Sequence, residues 1–206
     1  MSRLNAPQKA PTVQLKDVHG TPITLSENRF TLLSFYRDPA CPFCNFHLYL
    51  MTNKYQELQS LGLDFVAVFP ADPENVKKII LSRQRPFPVA VDTTNTAINS
   101  YGVAASPTAQ ATQASQSAYN LYGIERSFWR KMLAVLRRPL MWLQGMTKVG
   151  FPETAKALGG INTANNLPAD FLISGDGIIK EAYYGKDAGD HVSLEHLRTL
   201  VSRGYF

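Results

Sequence analysis

The stretch Phe30-Thr-Leu-Leu-Ser-Phe-Tyr36-Arg37-Asp-Pro-Ala-Cys41-Pro42-Phe-Cys44-Asn-Phe-His47-Leu-Tyr-Leu-Met51 runs an apolar segment into two cysteines and then into a helical pattern. Phe30 to Tyr36 is dominated by large apolar and aromatic residues and predicts a buried strand. Phe43, Phe46, Leu48, Leu50, Met51, Tyr55 and Leu58 recur at roughly helical spacing and predict a helix from Pro42 to about Leu61. A proline is tolerated in the first helical turn because its missing N–H would have had no partner there, so the helix can begin at the cysteine itself. Cys41 is then placed at a helix N-terminus, where unpaired N–H groups favour thiolate over thiol.

Cys41 and Cys44 are the only two cysteines in 206 residues. A pair closing so small a loop cannot staple a chain of this length, so it reads as catalytic or metal-binding. With 45% hydrophobic and 18% charged residues the chain can bury a full core as one domain, 1–206, carrying an insertion. Residues 1–11 lack an apolar leader core, and no run approaches the roughly 18 apolar residues of a membrane span. A cytoplasmic protein is the expectation.

Around the dithiol the chain alternates strands and helices. Val13–Leu25 alternates apolar and polar residues about Gly20 and reads as a short hairpin, with His19 in its turn. Leu63–Pro70 is a second apolar strand after Gly62, and Asp72 is positioned to cap a helix over Pro73–Ser82. Pro88–Asp92 makes a third strand and Asn95–Tyr101 a short helix. Pro168–Tyr184 reads as two strands joined by Gly175-Asp-Gly177, and a last helix starts at about Ser193 and runs to Val201. This order predicts an α/β domain with a mixed central sheet flanked by helices.

A strand leading into Cys-x-x-Cys at a helix start, then strand, helix, and a proline before a closing hairpin and final helix, resembles the thioredoxin fold. The leading hairpin ahead of Phe35-Tyr36 and the Pro88–Asp92 strand followed by Tyr101-Gly102-Val103 are similar, more specifically, to the peroxiredoxins of the alkyl hydroperoxide reductase/thiol-specific antioxidant superfamily. The likeness covers most of residues 12–103 and 167–202. It implies a thiol-dependent antioxidant oxidoreductase that reduces hydroperoxides through a dithiol/disulfide cycle. Pro168 matches the cis-proline that faces the dithiol in thioredoxins and glutaredoxins, and Cys-Pro-Phe-Cys is close to the glutaredoxin type. Aligned on Phe35-Tyr36, the peroxiredoxin pattern Pro-x-x-x-Thr-x-x-Cys places its peroxide-attacking cysteine at Cys44, with Cys41 in place of the threonine and Arg37 in place of the proline. The arginine that polarises the peroxide just before the last hairpin is missing from Asn165–Asp170.

The chemistry follows from the residues as well. A thiolate attacks a peroxide oxygen or a disulfide sulfur, and a second thiol two residues along closes an intramolecular disulfide. Exposure at the helix start favours Cys41 as attacker and Cys44 as resolver; the peroxiredoxin alignment exchanges them. Arg37 on the same loop is a candidate for lowering the thiol pKa or binding an anionic substrate. Asp170 is a proton acceptor if buried and an edge-strand surface residue otherwise. Cys41, Cys44 and His47 have the atoms of a zinc site but lack a fourth ligand, with His19, His191 and His196 scattered along the chain, so no metal is expected and His47 reads as a partly exposed helix residue. No Gly-rich phosphate loop or dinucleotide fingerprint is present, so no cofactor is expected and electrons come from another thiol of thioredoxin or glutathione type. The alternatives to a peroxidase are a thioredoxin- or glutaredoxin-like disulfide reductase, and a non-enzymatic redox sensor or membrane-docking module.

The last alternative comes from the segment that breaks the alternation, at about 104–165. Ala104 to about Ser117 has linker composition. Ser127–Leu143 has Phe128, Trp129, Met132, Leu133 and Leu136 on one face, with Arg130, Lys131, Arg137 and Arg138 largely opposite. Between Glu125 and Glu153 there is no acidic residue. Such a helix lies on an anionic membrane surface through 126–148, or packs its stripe over the sheet or against a second subunit in a homodimer. Nucleic acid is a poorer fit to the formal charge of +5, because no binding motif accompanies it.

Overall fold

Every residue from Phe30 to Phe35 is buried, as a strand covered on both faces must be. The computed structural model describes residues 3–82, 84–103, 166–186 and 189–202. Within them lie β1 (Gln8–Lys9), β2 (Leu15–Asp17), β3 (Pro22–Ile23), β4 (Phe30–Phe35), α1 (Pro42–Ser60), β5 (Leu63–Phe69), α2 (Pro73–Ile79), β6 (Val89–Val91), α3 (Thr96–Ser100), β7 (Ala169–Ile173), β8 (Ile178–Tyr184) and α4 (Leu194–Ser202). The strands form one mixed sheet in the order β1-β8-β7-β4-β5-β6-β2-β3. β4, β5 and β6 run parallel and β7 runs antiparallel to β4. Parallel neighbours need crossovers, which α1 and α2 supply.

The architecture is the expected thioredoxin-like α/β fold, and its local devices are those the residues predict. Gly62 ends α1 with φ of 81°, and Asp72 caps α2 by accepting from the Asn75 N–H at 3.2 Å. In the β2–β3 turn, Asp17 Oδ1 accepts from the His19 and Thr21 N–H groups. The Ser193 hydroxyl accepts from the His196 N–H at the start of α4. Two pairings go beyond local pattern: β1 adds to the far edge through β8, and the β2–β3 hairpin joins the sheet through β6.

α1 packs through Cys44, Leu48, Met51, Tyr55 and Leu58, spaced by alternating steps of four and three, and each is buried. Burying each of its large apolar side chains stabilises the fold by about 1.5–3 kcal/mol. They meet Leu32, Tyr36, Phe65, Ala67, Phe69 and Leu172 on one face of the sheet, with α4 contributing Leu197, Leu200 and Val201. The other face carries Leu33, Phe35, Val66, Val68, Phe171 and Ile173 against Ile98 and Tyr101. Phe43, Phe46 and Leu50, which share in the helical periodicity, are only partly buried.

The linker and basic helix expected at about 104–165, and with them the membrane-surface and second-subunit readings of 126–148, lie outside the described residues. Among the described residues no helix is long and apolar enough to cross a membrane.

Candidate active site

The C-terminal end of β4 delivers Tyr36 and Arg37 into a short loop that turns directly into α1. Asp38 shapes that loop: its carboxylate accepts from the Ala40 N–H at 2.7 Å and its carbonyl from the Cys41 N–H at 3.1 Å. The Asn45 side-chain amide donates to the Pro39 carbonyl at 2.6 Å and to the Cys41 carbonyl at 3.0 Å, tying the loop to the first turn. Cys41 is the N-cap residue and Pro42 opens the helix, as the sequence predicts.

Both cysteines are free thiols, and their surroundings differ. Cys41 is half-buried, and its thiol is pulled down from 9.0 to about 6. The Cys44 thiol as hydrogen-bond donor is the largest cause. It outweighs burial, and the N–H groups of Cys44 and Phe43 and the charge of Arg37 add to it. Cys44 has no exposed surface, and burial together with the neighbouring Cys41 pushes its thiol well above the ordinary value. One sulfur is thus a stabilised thiolate at the helix start, and the other is a buried proton donor behind it.

Arg37 is buried, and its Nε donates to the Asn166 carbonyl at 2.9 Å. That bond draws the segment before β7 onto the dithiol loop. Pro168 is buried next to Ala169, which pairs with Phe35 at the end of β4. The thioredoxin likeness implies a cis bond at Pro168. Among the described residues the cis peptide bond is instead Ala6–Pro7. Gly185 donates to the Pro168 carbonyl at 2.9 Å, and a Cβ at Gly185 would stand 2.8 Å from Pro168 Cγ and 2.4 Å from the Asp190 carbonyl oxygen. Glycine is required there by close approach.

Three residues that the sequence left apart or on the surface meet inside this corner. Asp170 lies on β7, which is flanked by β4 and β8, so it is not on an edge strand, and it is 1% exposed. Its carboxylate stands 3.0 and 3.1 Å from His191 Nδ1 and accepts from the Val192 N–H at 2.7 Å. His47 is also buried instead of lining the helix surface, because it sits one turn beyond Cys44 on the packed side of α1. Its Nδ1 lies 2.6 Å from the Tyr36 hydroxyl. Its ring stacks on His191 with centroids 3.9 Å apart and planes within 6°.

Electrostatics follows from that packing. Burial, then the charge of His191, holds His47 well below the ordinary histidine range against the pull of Asp170. Burial would raise the Asp170 carboxyl, but the charge and hydrogen bond of His191, with His47 beyond it, hold it below its ordinary value. His47 was legible as a polar residue one turn past the dithiol, whereas nothing local marks His191. Among the described residues no group of three or more His, Cys, Asp or Glu side chains could hold a metal ion.

The AhpC/TSA family model matches residues 6–126, more than half of the chain. No curated protein sequence matches it. Among solved structures it is similar to the peroxidoxin BcpB from Mycobacterium tuberculosis, with 13% identity, a TM-score of 0.60 and 97% of each chain covered. It is likewise similar to the peroxiredoxin Q of Xanthomonas campestris, with 12% identity, a TM-score of 0.55, and 93% of this chain and 88% of that one covered. A Chlorobium tepidum protein assigned as a thiol:disulfide interchange protein DsbE gives 17% identity and a TM-score of 0.54, over 98% of this chain and 99% of that one. At these identities the structures speak for the shared thioredoxin-like fold, and the family match carries the identity. The chain belongs to the AhpC/TSA family, and is a peroxiredoxin-like thiol oxidoreductase.

Proposed function

We propose that the protein reduces hydroperoxides with Cys41 as the attacking thiolate and Cys44 as the resolving thiol. The observation that carries this reading is the asymmetry of the pair: Cys41 is reachable and its pKa is lowered to about 6, while Cys44 is buried and its pKa is raised. The peroxiredoxin alignment, which would make Cys44 the attacker, is disfavoured by the burial of that sulfur. Cys41 Sγ attacks the peroxide, the O–O bond breaks, and the departing alkoxide or hydroxide takes a proton from solvent, leaving a sulfenic acid on Cys41. Cys44 then displaces that oxygen as water and closes the disulfide. Two equivalents of a thiol of thioredoxin or glutathione type restore the dithiol, and a cytoplasmic setting with its reducing thiols suits that cycle.

Arg37 supports the thiolate by its charge and, through Asn166, ties the segment that leads to Pro168 to the dithiol loop. It is the cation nearest in role to the arginine absent before β7. A disulfide substrate is the second reading, favoured by the Cys-x-x-Cys arrangement, since the same thiolate attacks sulfur as readily as oxygen.

Rapid mixing of the reduced protein with hydrogen peroxide, reading free thiols and adduct mass, separates these. Peroxidase action gives fast thiol loss in the wild type and a trapped sulfenic acid on Cys41 in Cys44→Ser, while Cys41→Ser reacts no faster than a small free thiol. A sulfenic acid formed rapidly on Cys44 in Cys41→Ser would reverse the assignment. Thiol loss at the small-thiol rate in all three proteins, with rapid loss on a disulfide, would establish the disulfide reading.

A further inference from the structure

Closing the disulfide requires the Cys44 proton to leave a sulfur with no exposed surface. Solvent cannot collect it directly. Two buried side-chain atoms beside Asp170 make no hydrogen bond among the described residues, Ser34 Oγ on the facing strand and His191 Nε2 in a fully enclosed ring, and the imidazole nitrogen is the proton acceptor of the two. The other end of the ring is anchored, Nδ1 on the Asp170 carboxylate, which the Val192 N–H fixes in turn. A histidine held by a carboxylate at one nitrogen and left open at the other has the form of a general base. Tyr36 and Val192 belong to the same packed cluster as Cys44. Tyr36 contacts the His191 ring at a centroid distance of 4.9 Å, and His47, one turn from Cys44, covers its face.

We infer that the Asp170–His191 pair is the proton store of the buried thiol, taking the Cys44 proton when the disulfide closes and returning it when the disulfide is reduced. The inference rests on the dithiol cycle proposed above, but not on peroxide being the oxidant. In closure, Cys44 Sγ forms a bond to Cys41 Sγ while its proton passes to His191 Nε2. Cys44 is oxidised, Cys41 is reduced from sulfenic acid to disulfide, and the S–O bond breaks. The departing hydroxide takes a proton from solvent at the half-exposed Cys41 and becomes water. In reduction, a thiolate attacks Cys41, the S–S bond breaks, and Cys44 recovers its proton from His191. A second thiolate then releases Cys41. His47 is a positioning residue: its ring fixes the plane of His191, and its Nδ1 is occupied with Tyr36.

The other titratable and charged groups on the elements around the pair are Cys41 capping α1, Cys44 and His47 on α1, Tyr36 and Arg37 after β4, Tyr183 on β8, and Asp190 next to His191, whose carboxylate accepts from the Tyr183 hydroxyl at 2.6 Å. The test separates them by using 4,4′-dithiodipyridine on the full chain. A first chromophore is released on attack by Cys41, and a second on closure by Cys44. His191→Gln and Asp170→Asn are expected to leave the first release within about twofold of wild type and to slow the second about tenfold or more. Second releases equal to wild type at every pH would overturn the inference. Nitrogen NMR of the His191 ring in the unaltered protein tests it without a variant: the ring should be neutral in the dithiol form and a cation in the disulfide form. An identical protonation state in both forms would overturn the inference even if peroxide proves to be the substrate. A peroxide-inert protein that shows the expected change would retain the inference and lose only the peroxidase reading.

Discussion

The two faces of the central sheet are both dry, yet they are built for different ends. On one, Phe35, Tyr101, Phe171 and Tyr184 form a chain of tilted and edge-on rings with centroids 4.9–5.8 Å apart. The polar tips of this face are used structurally: the Tyr184 hydroxyl donates to the Tyr101 carbonyl at 2.7 Å and accepts from the Leu4 N–H at 2.7 Å. On the other face, strand alternation places Tyr36 beyond Leu32, and Asp170 beside Leu172, against α1, where Cys44 and His47 lie one turn apart. A carboxylate, two imidazoles and a thiol are enclosed there, and each costs desolvation that its hydrogen bonds only partly offset. The aromatic face stabilises the sheet; the polar corner uses that stability to hold ionisable groups on the same face as a buried thiol.

The contrast is open to tests of decreasing size. Phe171→Ala removes the ring that touches Phe35, Tyr101 and Tyr184, and should lower stability by about 3–5 kcal/mol, read as a large drop in denaturation midpoint. The fraction that remains folded should keep the wild-type pH profile of Cys41 alkylation. A changed profile would mean that the two faces are not separate in role. Gly185→Ala should weaken both faces at once, because its Cβ must displace the Asp190 carbonyl and Pro168. It should lower stability by about 1–3 kcal/mol and slow thiol turnover, read by denaturation and by the peroxide assay.

A finer test concerns the corner alone. Alkylation of Cys41 should rise with pH about a midpoint near 6, because its thiolate is already formed well below the ordinary thiol range; below that midpoint the sulfur carries a proton and the rate falls. Cys44→Ala should move the midpoint upward, and Arg37→Ala should move it upward by less, since the thiol hydrogen bond outranks the guanidinium as a cause. The reverse order would show that charge, not the adjacent thiol, activates Cys41. The smallest effect is expected far from either region: Asp72→Ala removes the α2 cap and should cost about 1 kcal/mol with no change in the alkylation midpoint.

Most of the fold can be read locally. The buried run of β4, the proline one residue past Cys41, the glycine at 62 and the Asp72 cap each act within a few residues, so their propensities and patterns point to the elements that form. The dithiol was legible for the same reason, as both cysteines and the helix start that activates one of them lie within four residues. The inside of the site was not legible. Whether Asp170 faces water or the core depends on β8 pairing outside β7, and β8 precedes the turn that carries His191 back onto Asp170. His47 reads in sequence as a partly exposed helix residue, and only the packing of α1 on the sheet encloses it.

The sequence alone therefore determined the α/β order, the cysteine pair and its placement at a helix N-terminus, since these follow from neighbours in the chain. Only the tertiary structure decided that Cys44 is wholly buried, and that Asp170, His191, His47 and Tyr36 share one dry corner. Burial and long-range pairing set those relations, and both are properties of the assembled sheet and not of any single segment.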